Sequence, residues 1–514
     1  MAYRIKIEPQ GKIITTNGRE KIKTALEREG FYFPVNCGGS GICSNCRVEF
    51  LTEPPKMKRV ESNMFGRGST YRMACQHPAS ADCSIALPIT TEAMNVKRVS
   101  GLDITAKSKG FGIAIDLGTT TVALYLINLK TAKIVDQKSF INPQTTIGGD
   151  VMTRLKKTME EGGLEQLNFM IHAEIGKSII SLLALNKLHA DAVKEVSIAG
   201  NSVMAHLFLR HDASGLAQKP FISSLQDKEW LEFDPASISM PSTCACRFFP
   251  ILQGFIGGDT VAAVLAIDLD QKKGVNLLVD LGTNGEIILS VDGKFYATSA
   301  AAGPAFDGMS MYSGMPAISG AIEDISKEGD AFIINDSEPL GICGSGYISM
   351  IAYMYKNGII NETGLIKSNQ RNKNYWIPIS DKDNIRITQE DIRKYQLAKG
   401  AIAAGIEILC VEAKIKYTEI NKFYITGSFG NRIKIESAIT TGLIPDLPKN
   451  KIEFVDNGAG RGAILSLGDT KFQKRTVNLK KNLRVINLGE HPDFQDTFVN
   501  HMLFPQGGKA PNSK

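Results

Sequence analysis

Apolar and polar residues alternate at the beginning of the chain, as they do in a half-buried β-strand. Tyrosine and isoleucine occupy every second position of residues 3–7, and residues 13–15 form a second short run of this kind. A helix is predicted over residues 19–29, ending at Gly30. Two strands followed by a short helix are the opening of a β-grasp fold, so residues 1–90 are predicted to form a small α+β domain.

Two longer apolar runs are interrupted by the same polar motif. Residues 112–126, GIAIDLGTTTVALYL, and residues 276–289, NLLVDLGTNGEIIL, each predict a strand, a tight hydroxyl-bearing turn and a second strand. A single Asp-Gly turn commonly joins ordinary strands, so one such hairpin would be weak evidence of function. Two near-copies, 164 residues apart, predict a duplicated fold that closes on one nucleotide.

The length of the chain indicates several domains. It has 514 residues, of which 43% are hydrophobic and 22% are charged, an ordinary globular composition. Because one hydrophobic core stops growing at roughly 250 to 300 residues, two or three domains are expected. The predicted division is a domain over residues 1–90, a linker over 91–109, a domain of two duplicated halves over 110–475 and a C-terminal tail over 476–514. The lysine-rich residues 474–484 are expected to be a solvated surface.

Charge and hydropathy restrict the location and the partners. The net charge of +6 is mild and spread along the chain, so no nucleic-acid partner is expected, whereas an acidic protein partner stays open. No uninterrupted apolar stretch approaches the ~20 residues of a membrane span, and residues 1–9 alternate without a signal-peptide core. The cytoplasm is therefore the expected compartment, with no membrane association.

The nine cysteines are distributed unevenly, with five of them in the first 83 residues. In a reducing cytoplasm such a cluster favours metal binding over disulfides. The spacing C-x5-C-x2-C-x28-C supplies three thiolates from one loop and a fourth from another segment, which suits a 2Fe-2S cluster, while loop glycines bring backbone amides close to the sulfides. Zinc is the competing interpretation, but it favours paired C-x2-4-C motifs and only one pair is present. The predicted ligands are Cys37, Cys43, Cys46 and Cys75.

These cysteines and glycines resemble the cluster loop of plant-type and adrenodoxin-type ferredoxins, with one residue more than the plant C-x4-C. Cys83 is an alternative fourth ligand, but Cys75-Gln-His follows the ferredoxin pattern, and Cys83 leads into an apolar strand over residues 85–89. Cys83 is therefore expected to be a buried structural thiol. Rieske centres need two histidine ligands, so His77 is expected at the surface or beside a ligand cysteine, and not on iron.

The duplicated hairpins suit a site for magnesium and phosphate. An acid at a strand end can hold hydrated magnesium, and the amides and hydroxyls of a Gly-Thr turn can bind phosphate oxygens. Asp116 and Asp280 are the predicted acids, which would organise magnesium and water. The predicted phosphate-binding residues are Gly118, Thr119, Thr120, Gly282, Thr283 and Asn284.

Three further segments resemble the actin-like ATPase superfamily, which includes acetate and sugar kinases, heat-shock chaperones and actin. The first connecting helix is resembled by residues 257–266, which would place Asp259 at the nucleotide. Residues 423–431 resemble the adenosine turn, and residues 458–463 resemble the second connecting helix. The resemblance is complete over residues 111–468 and implies an α/β actin-like fold of two ribonuclease H-like halves that binds ATP and Mg²⁺. No Rossmann or Walker motif is present in the sequence. The residues expected at adenosine are Gly427, Ser428, Phe429 and Gly430.

Two other glycine-rich segments leave their role open. Residues 299–308 and residues 341–346 could line the nucleotide site, the latter by opening a helix with free N–H groups, or they could be ordinary tight turns.

The whole chain resembles the reductive activators of corrinoid proteins. The resemblance is carried by the ferredoxin motif together with four later segments, DLGTNGE, SAAAGPAFDG, GICGSG and ITGSFGN. That family implies one electron passing through the 2Fe-2S cluster, coupled to ATP turnover, to reduce cob(II)alamin to cob(I)alamin on the corrinoid protein of a methyltransferase system. It also implies a low-potential electron donor, and it leaves a homodimer open. No additional domain is predicted between the linker and the ATPase.

Three alternatives belong to other classes of protein. An activator of a radical dehydratase would place a 4Fe-4S cluster between subunits and would lack the ferredoxin domain. A small-molecule kinase with an electron-transfer domain would phosphorylate a sugar or a carboxylate. A redox-sensing binding protein would not turn over ATP.

Overall fold

The computed structural model describes most of the chain. The described residues are 2–8, 11–29, 31, 39, 41, 46–65, 68–87, 99, 102, 109–226, 228–282, 284–303, 305–306, 308, 310–315, 317, 319–367, 374–377, 385–427 and 433–506.

The first domain is a five-stranded sheet covered by short helices. Its elements are β1 (Tyr3–Glu8), β2 (Lys12–Thr16), α1 (Ile22–Arg28), β3 (Arg47–Phe50), α2 (Arg59–Phe65), β4 (Tyr71–Met73) and β5 (Cys83–Ala86). The strand order is β2-β1-β5-β3-β4, with β1 and β5 parallel and the other neighbours antiparallel. This mixed sheet with a short helix after the first hairpin agrees with the predicted β-grasp.

The first half of the second domain is a six-stranded sheet with helices packed on it. Its elements are β6 (Phe111–Leu117), β7 (Thr121–Asn128), β8 (Lys133–Ile141), α3 (Val151–Thr158), α4 (Gly163–Leu185), β9 (Val193–Gly200), α5 (Ser202–Leu209), α6 (Ser214–Ala217), β10 (Leu231–Glu232), β11 (Ala245–Phe248) and α7 (Gly258–Ala266). The strand order is β10-β11-β9-β6-β7-β8.

The second half repeats this sheet and adds two small ones. Its elements are β12 (Val275–Leu281), β13 (Gly285–Val291), β14 (Lys294–Ala300), β15 (Ala321–Ile325), β16 (Ala331–Ile333), β17 (Gly341–Ile342), α8 (Gly344–Lys356), β18 (Asn374–Trp376), β19 (Arg386–Thr388), α9 (Gln389–Ala413), β20 (Ile420–Gly427), α10 (Ile435–Thr441), β21 (Ile452–Phe454), α11 (Gly458–Ser466), α12 (Thr470–Lys481), β22 (Leu483–Val485) and α13 (Phe494–Met502). The main sheet has the order β21-β20-β12-β13-β14-β22.

The two main sheets share one topology. In the first sheet β6 pairs antiparallel with β7 and parallel with β9, and in the second sheet β12 pairs antiparallel with β13 and parallel with β20. The order β11-β9-β6-β7-β8 therefore matches β21-β20-β12-β13-β14, strand for strand. This is the duplicated fold that the two hairpin motifs predict.

Helices α7 and α11 cross between the two sheets. A Cβ on Gly462 would lie 2.2 Å from the carbonyl oxygen of Ala262, and a Cβ on Gly458 would lie 2.8 Å from the Cβ of Ala263. Only glycine permits this approach, since real Cβ atoms do not come so near to other heavy atoms. The two predicted connecting helices thus form one packed pair, and their buried side chains join the two halves in a shared core.

Helix α4 meets the length and composition of a membrane span, with a mean hydropathy of 1.2. Its apolar face includes Leu167, Ile171, Ile175 and Ile179, all of which are buried in the core of the first half. The buried core helix of a globular domain satisfies the same two criteria, so α4 is weak evidence of a membrane.

The expectation of a solvated surface over residues 474–484 is wrong. Phe472, Thr476 and Leu479 of α12 are buried, and β22 pairs in parallel with β14 at the edge of the second sheet. These buried positions follow helical spacing, but lysines and an arginine in and beside the run hide the pattern in the sequence. The segment predicted as a tail, 476–514, thus contributes a strand and a helix to the second half.

Candidate functional site

The cluster end of the first domain is built on β3 and β4. Cys46 directly precedes β3 and Cys75 follows β4, and both side chains are buried. The backbone N–H of Ala74 donates to the carbonyl of Cys46 at 2.8 Å, which fixes the two cysteine segments side by side. Cys37 and Cys43 lie outside the described residues.

Gly39, in the segment of the predicted cluster ligands, lies beside Cys75. Gly39 has φ +86°, and a Cβ on it would lie 3.9 Å from the Cβ of Cys75. The Gln76 side chain donates to the Gly39 carbonyl at 2.8 Å and lies 3.4 Å from the Cys75 sulfur. Buried thiols enclosed by backbone that only glycine readily adopts are a donor set that fits a 2Fe-2S cluster.

Cys83 and His77 have different surroundings. Cys83 is half-buried and not fully buried as expected, and it pairs with Ile5 in the β1–β5 register. Its partial burial raises the pKa of the thiol to about 11, which keeps it protonated, as suits a packing role. His77 is buried, so it is not at the surface: its Nε2 lies 2.8 and 2.9 Å from the carboxylate oxygens of Glu61. Glu61 also accepts the backbone N–H of Met73 at 2.7 Å, which ties α2 to the strand leading to Cys75. Sequence reasoning missed Glu61, because its partner is brought near only by the fold.

The two predicted acids occupy equivalent places in the duplicated fold. Asp116 lies near the end of β6 and Asp280 near the end of β12, the central strands of the two sheets. Gly427 ends β20 with φ +112°, and a Cβ there would lie 2.8 Å from Asp280 Oδ1. The structure therefore brings the start of the predicted adenosine turn to the second hairpin. Thr283, Ser428, Phe429 and Gly430 lie outside the described residues.

One buried and two half-buried acids, Glu286, Asp280 and Asp259, influence one another at the second hairpin. Glu286 is the cross-strand partner of Asp280, and burial, followed by the charges of Asp259 and Asp280, raises its pKa well above the usual value. Asp259 lies in the first turn of α7. Among the described residues, no three metal-binding side chains converge closely enough to ligate an ion directly. A hydrated magnesium ion, contacted through its water, is the species the sequence predicts, and oxygen donors of this kind fit it.

Glu286 was not among the predicted site residues. The available signal was an acid directly after the Asn284-Gly285 turn, at the position that faces Asp280 in a tight hairpin. Gly282 donates its N–H to the carbonyl of Asn284 at 3.1 Å, which closes this turn.

The turn of the first hairpin is held by two asparagines. Asn142 Nδ2 donates to the Gly118 carbonyl at 2.9 Å, and the backbone N–H of Asn142 donates to the Thr120 carbonyl at 2.8 Å. Asn201 Nδ2 donates to the Thr119 hydroxyl at 3.0 Å. Both asparagines were missed from the sequence, where they lie far from the hairpin.

The start of α11 joins the two halves beside the nucleotide hairpins. Asn457 caps this helix, and its Nδ2 donates to the Tyr125 hydroxyl of β7 at 2.6 Å. The N–H of Gly458 donates to the Thr426 hydroxyl of β20 at 3.0 Å. A change in the angle between the halves must therefore move the strands that carry both hairpins.

The remaining glycine-rich segments pack against each other. A Cβ on Gly344, at the start of α8, would lie 1.6 Å from the carbonyl oxygen of Phe306, and a Cβ on Gly308 would lie 3.1 Å from the N of Gly344. The chain itself thus covers the beginning of α8. This contact favours the tight-turn interpretation of residues 299–308 and 341–346.

The fold and the site define an iron–sulfur ATPase, with a ferredoxin domain ahead of an actin-like nucleotide module. Family models agree: residues 5–80 match the 2Fe-2S iron-sulfur cluster binding domain, residues 111–272 the RACo middle region, and residues 274–513 the C-terminal domain of RACo, the ASKHA domain. The middle-region match covers the first half of the duplicated ATPase. The chain belongs to the RACo family of corrinoid activators.

Two relatives and one solved structure support this assignment. The corrinoid activation enzyme RamQ of Eubacterium limosum is 31% identical over 420 residues, which is 77% of this chain and 70% of that protein. The [Co(II) methylated amine-specific corrinoid protein] reductase of Methanosarcina barkeri is 28% identical over 379 residues, 67% of each chain. A solved reductive activator for corrinoid,iron-sulfur protein has the same fold, with a TM-score of 0.69 over 98% of both chains at 24% identity.

Proposed function

We propose that this protein uses ATP to drive a one-electron reduction of cob(II)alamin to cob(I)alamin on a corrinoid protein of a methyltransferase system. The observation that carries the proposal is the joining, in one chain, of a cysteine site fit for a 2Fe-2S cluster to a duplicated hairpin site fit for Mg-ATP. Two relatives named for corrinoid activation and corrinoid-protein reduction point to the same substrate class.

The need for ATP follows from redox arithmetic. A plant-type 2Fe-2S cluster lies near roughly −400 mV, and each ~59 mV of shortfall lowers a one-electron equilibrium tenfold. Formation of cob(I)alamin is more demanding still. The nucleotide must therefore change the affinity of the protein for one state of its partner, since a ligand shifts an equilibrium only by its differential affinity.

Each residue set has a part in this proposal. Cys37, Cys43, Cys46 and Cys75 would hold the cluster, which supplies a one-electron carrier. Asp116 and Asp280 would orient magnesium and its water. Phosphates would be bound by Gly118, Thr119, Thr120, Gly282, Thr283 and Asn284, and adenosine by Gly427, Ser428, Phe429 and Gly430. Asp259 would lie at the nucleotide, at the start of the first connecting helix.

The setting of the protein is part of the proposal. We infer a cytoplasmic location, a low-potential electron donor, and partners that include neither nucleic acid nor a membrane, while a homodimer stays open. We place the domain boundaries at residues 1–90 and 110–475, joined by the linker 91–109.

The test supplies the anaerobic protein with a partner that carries cob(II)alamin, a low-potential reductant, and either ATP or none. The cob(II)alamin absorption band should disappear and the cob(I)alamin band should grow only with ATP. The proposal would be contradicted if cob(II)alamin were reduced equally well with and without ATP. It would also be contradicted if ATP were consumed only when a small metabolite is phosphorylated, which would support the kinase alternative.

Three variants assign the two activities to their sites. Cys75→Ser should lose the cluster absorbance and the electron transfer, whereas the matched Cys83→Ser should keep both. Asp280→Asn should keep the cluster spectrum and lose the ATP-driven reduction, because Asp280 lies on β12 of the ATPase module, outside the domain that supplies the cysteines.

A further inference from the structure

The segment between β8 and α3 lies directly behind the turn of the first hairpin. It runs from Asn142 through a short 3-10 turn to Asp150, the N-cap of α3. Its sequence, NPQTTIGGDVMTR, ends in an arginine on the first turns of α3.

That arginine, Arg154, is completely buried. Its Nη2 donates to the carbonyl of Thr119 at 2.6 Å, its Nε to the carbonyl of Gly148 at 2.9 Å and its Nη1 to Gln144 Oε1 at 3.1 Å. Every strong acceptor in this set is a neutral oxygen. The guanidinium is therefore directed at the backbone of the phosphate turn.

Arg154 has little compensating negative charge in the protein. Among the described residues, the one acid that stabilises its charge is Asp150, whose carboxylate oxygens already accept the N–H and the hydroxyl of Thr153. Burial lowers the pKa of Arg154 to about 9, which still leaves it charged at neutral pH. Burying a cation without a paired carboxylate costs folding free energy, so the presence of Arg154 at this place favours the binding of an anion nearby.

The hydrogen bonds from this segment determine the direction in which the backbone N–H groups of the first hairpin turn point. Asn142 holds the Gly118 carbonyl and Arg154 holds the Thr119 carbonyl, both on the side of the buried segment. In a planar trans peptide the N–H points opposite to the C=O, so the N–H groups of Thr119 and Thr120 face away from that segment. Neither N–H donates to another group among the described residues.

We propose that Arg154 is a positioning residue for ATP: by holding the Thr119 carbonyl it turns the Thr120 N–H toward the phosphates, and its charge favours their binding. The inference rests on the proposed placement of the phosphates at this hairpin. It assigns a role in nucleotide binding to a residue that does not touch the nucleotide.

The experiment measures the affinity of the full-length protein for Mg-ATP and for adenosine by anaerobic calorimetry. Arg154→Met removes the charge and the hydrogen bonds at similar length, and the Kd for Mg-ATP should rise about 10- to 100-fold, as expected for charged hydrogen bonds. Arg154→Lys keeps the charge and some of the contacts, so a smaller loss of about 3- to 10-fold is expected. Adenosine, which lacks phosphates, should bind each variant as it binds the wild type.

Another buried cation provides the matched control. Lys399 is equally buried and donates to the carbonyls of His501 and Leu503 in the C-terminal segment, without contacting the turn of the first hairpin. Lys399→Met should lower the melting temperature and leave the affinity for Mg-ATP unchanged. If this variant does not fold, Arg247→Met, which breaks the half-buried ion pair with Glu195 at 3.1 Å, replaces it.

The outcomes separate the inference from the proposed function. A wild type that does not bind Mg-ATP overturns both. A wild type that binds Mg-ATP while Arg154→Met binds it equally well overturns the inference alone, as does an equal loss of adenosine affinity, which would mark a structural role. If Arg154→Met does not fold, Arg154→Lys takes its place, and its affinities for Mg-ATP and for adenosine are compared with those of the wild type in the same way.

Discussion

Among single residues, the acids of the second hairpin are in an unfavourable position without a cation. Glu286 lies directly opposite Asp280 on neighbouring strands, and like charges placed in this way repel each other. Burial and the charges of Asp259 and Asp280 raise the pKa of Glu286. The folded protein then holds this proton more tightly than the unfolded chain does, so stability is lost as the pH rises through the raised pKa.

Glu286→Gln is therefore expected to affect stability and function in opposite directions. Without nucleotide, the variant should melt at a higher temperature than the wild type above that pKa, because the repulsion is gone. Its affinity for Mg-ATP should fall about tenfold or more, because the proposed site would lose a carboxylate beside the hydrated ion. Thermal melts across pH and calorimetry measure the two effects.

The exposed acid Glu453, on β21 of the same sheet, is the control for this prediction. Glu453→Gln should change neither quantity. A Glu286→Gln protein that is less stable than the wild type at high pH would show that the carboxylate serves the fold and not the ion.

The sequence predicts Asp280 directly and carries a weaker signal for Glu286, whereas it carries none for Arg154. Asp280 ends an apolar strand before Gly-Thr, and the same motif at Asp116 strengthens the prediction. The role of Glu286 depends on the register of β12 with β13, and that of Arg154 on a contact with Thr119 across 35 positions of the chain. Local patterns specify turns and strand ends, whereas partners brought together by folding leave no comparable signal.

Among the secondary-structure elements, α12 shows most clearly how dense charge hides a buried face. Leu479 is 1% exposed and packs in the core shared by the two halves, although lysines follow it directly. Leu479→Ala should lower the free energy of unfolding of the ATPase domain by about 2 to 5 kcal/mol, as large-to-small core substitutions do. Lys474→Ala, at an exposed position of the same helix, should change it by no more than about 0.5 kcal/mol.

Urea unfolding followed by the far-UV circular dichroism of the two variants tests this prediction. Equal midpoints for Leu479→Ala and the wild type would mean that α12 does not pack on the core. The predicted tail would then be the better description of this segment.

Other elements show when a helix boundary can be predicted. The sequence Thr-x-x-Asp of residues 388–391 is the pattern of a capping box, and both of its hydrogen bonds are present at the start of α9. The first helix was predicted from residue 19, but α1 begins at Ile22, because Asn17 Oδ1 accepts the N–H groups of Arg19 and Glu20 in a side-chain turn. The start of α9 and the start of α1 are thus each set by one polar side chain that accepts backbone N–H groups.

In the whole molecule, the nucleotide and cluster sites are built from separate parts of the chain. The described strands and helices of the nucleotide site begin at β6, after residue 110, and those of the cluster site end at β5. The two domains also touch: Arg47, the residue after Cys46, donates to the Leu340 carbonyl of the second half at 3.4 Å. Binding of ATP and transfer of the electron should therefore be separable, although the domains are in contact.

A protein that begins at Gly110 tests this separation. It keeps every described element of both hairpins and both connecting helices, so its Kd for Mg-ATP should stay within about twofold of the full-length value, as distant, independent sites predict. It should deliver no electron to cob(II)alamin, because all the predicted cluster ligands precede it. Full-length protein with Cys75→Ser is the matched control, since it loses the cluster but keeps the domain contact at Arg47. If the shortened protein loses ATP affinity while the Cys75→Ser protein retains it, the removed residues support the nucleotide site, through the contact at Arg47 or through Val99 and Leu102, which pack with the core shared by the two halves. The two activities are then not separable.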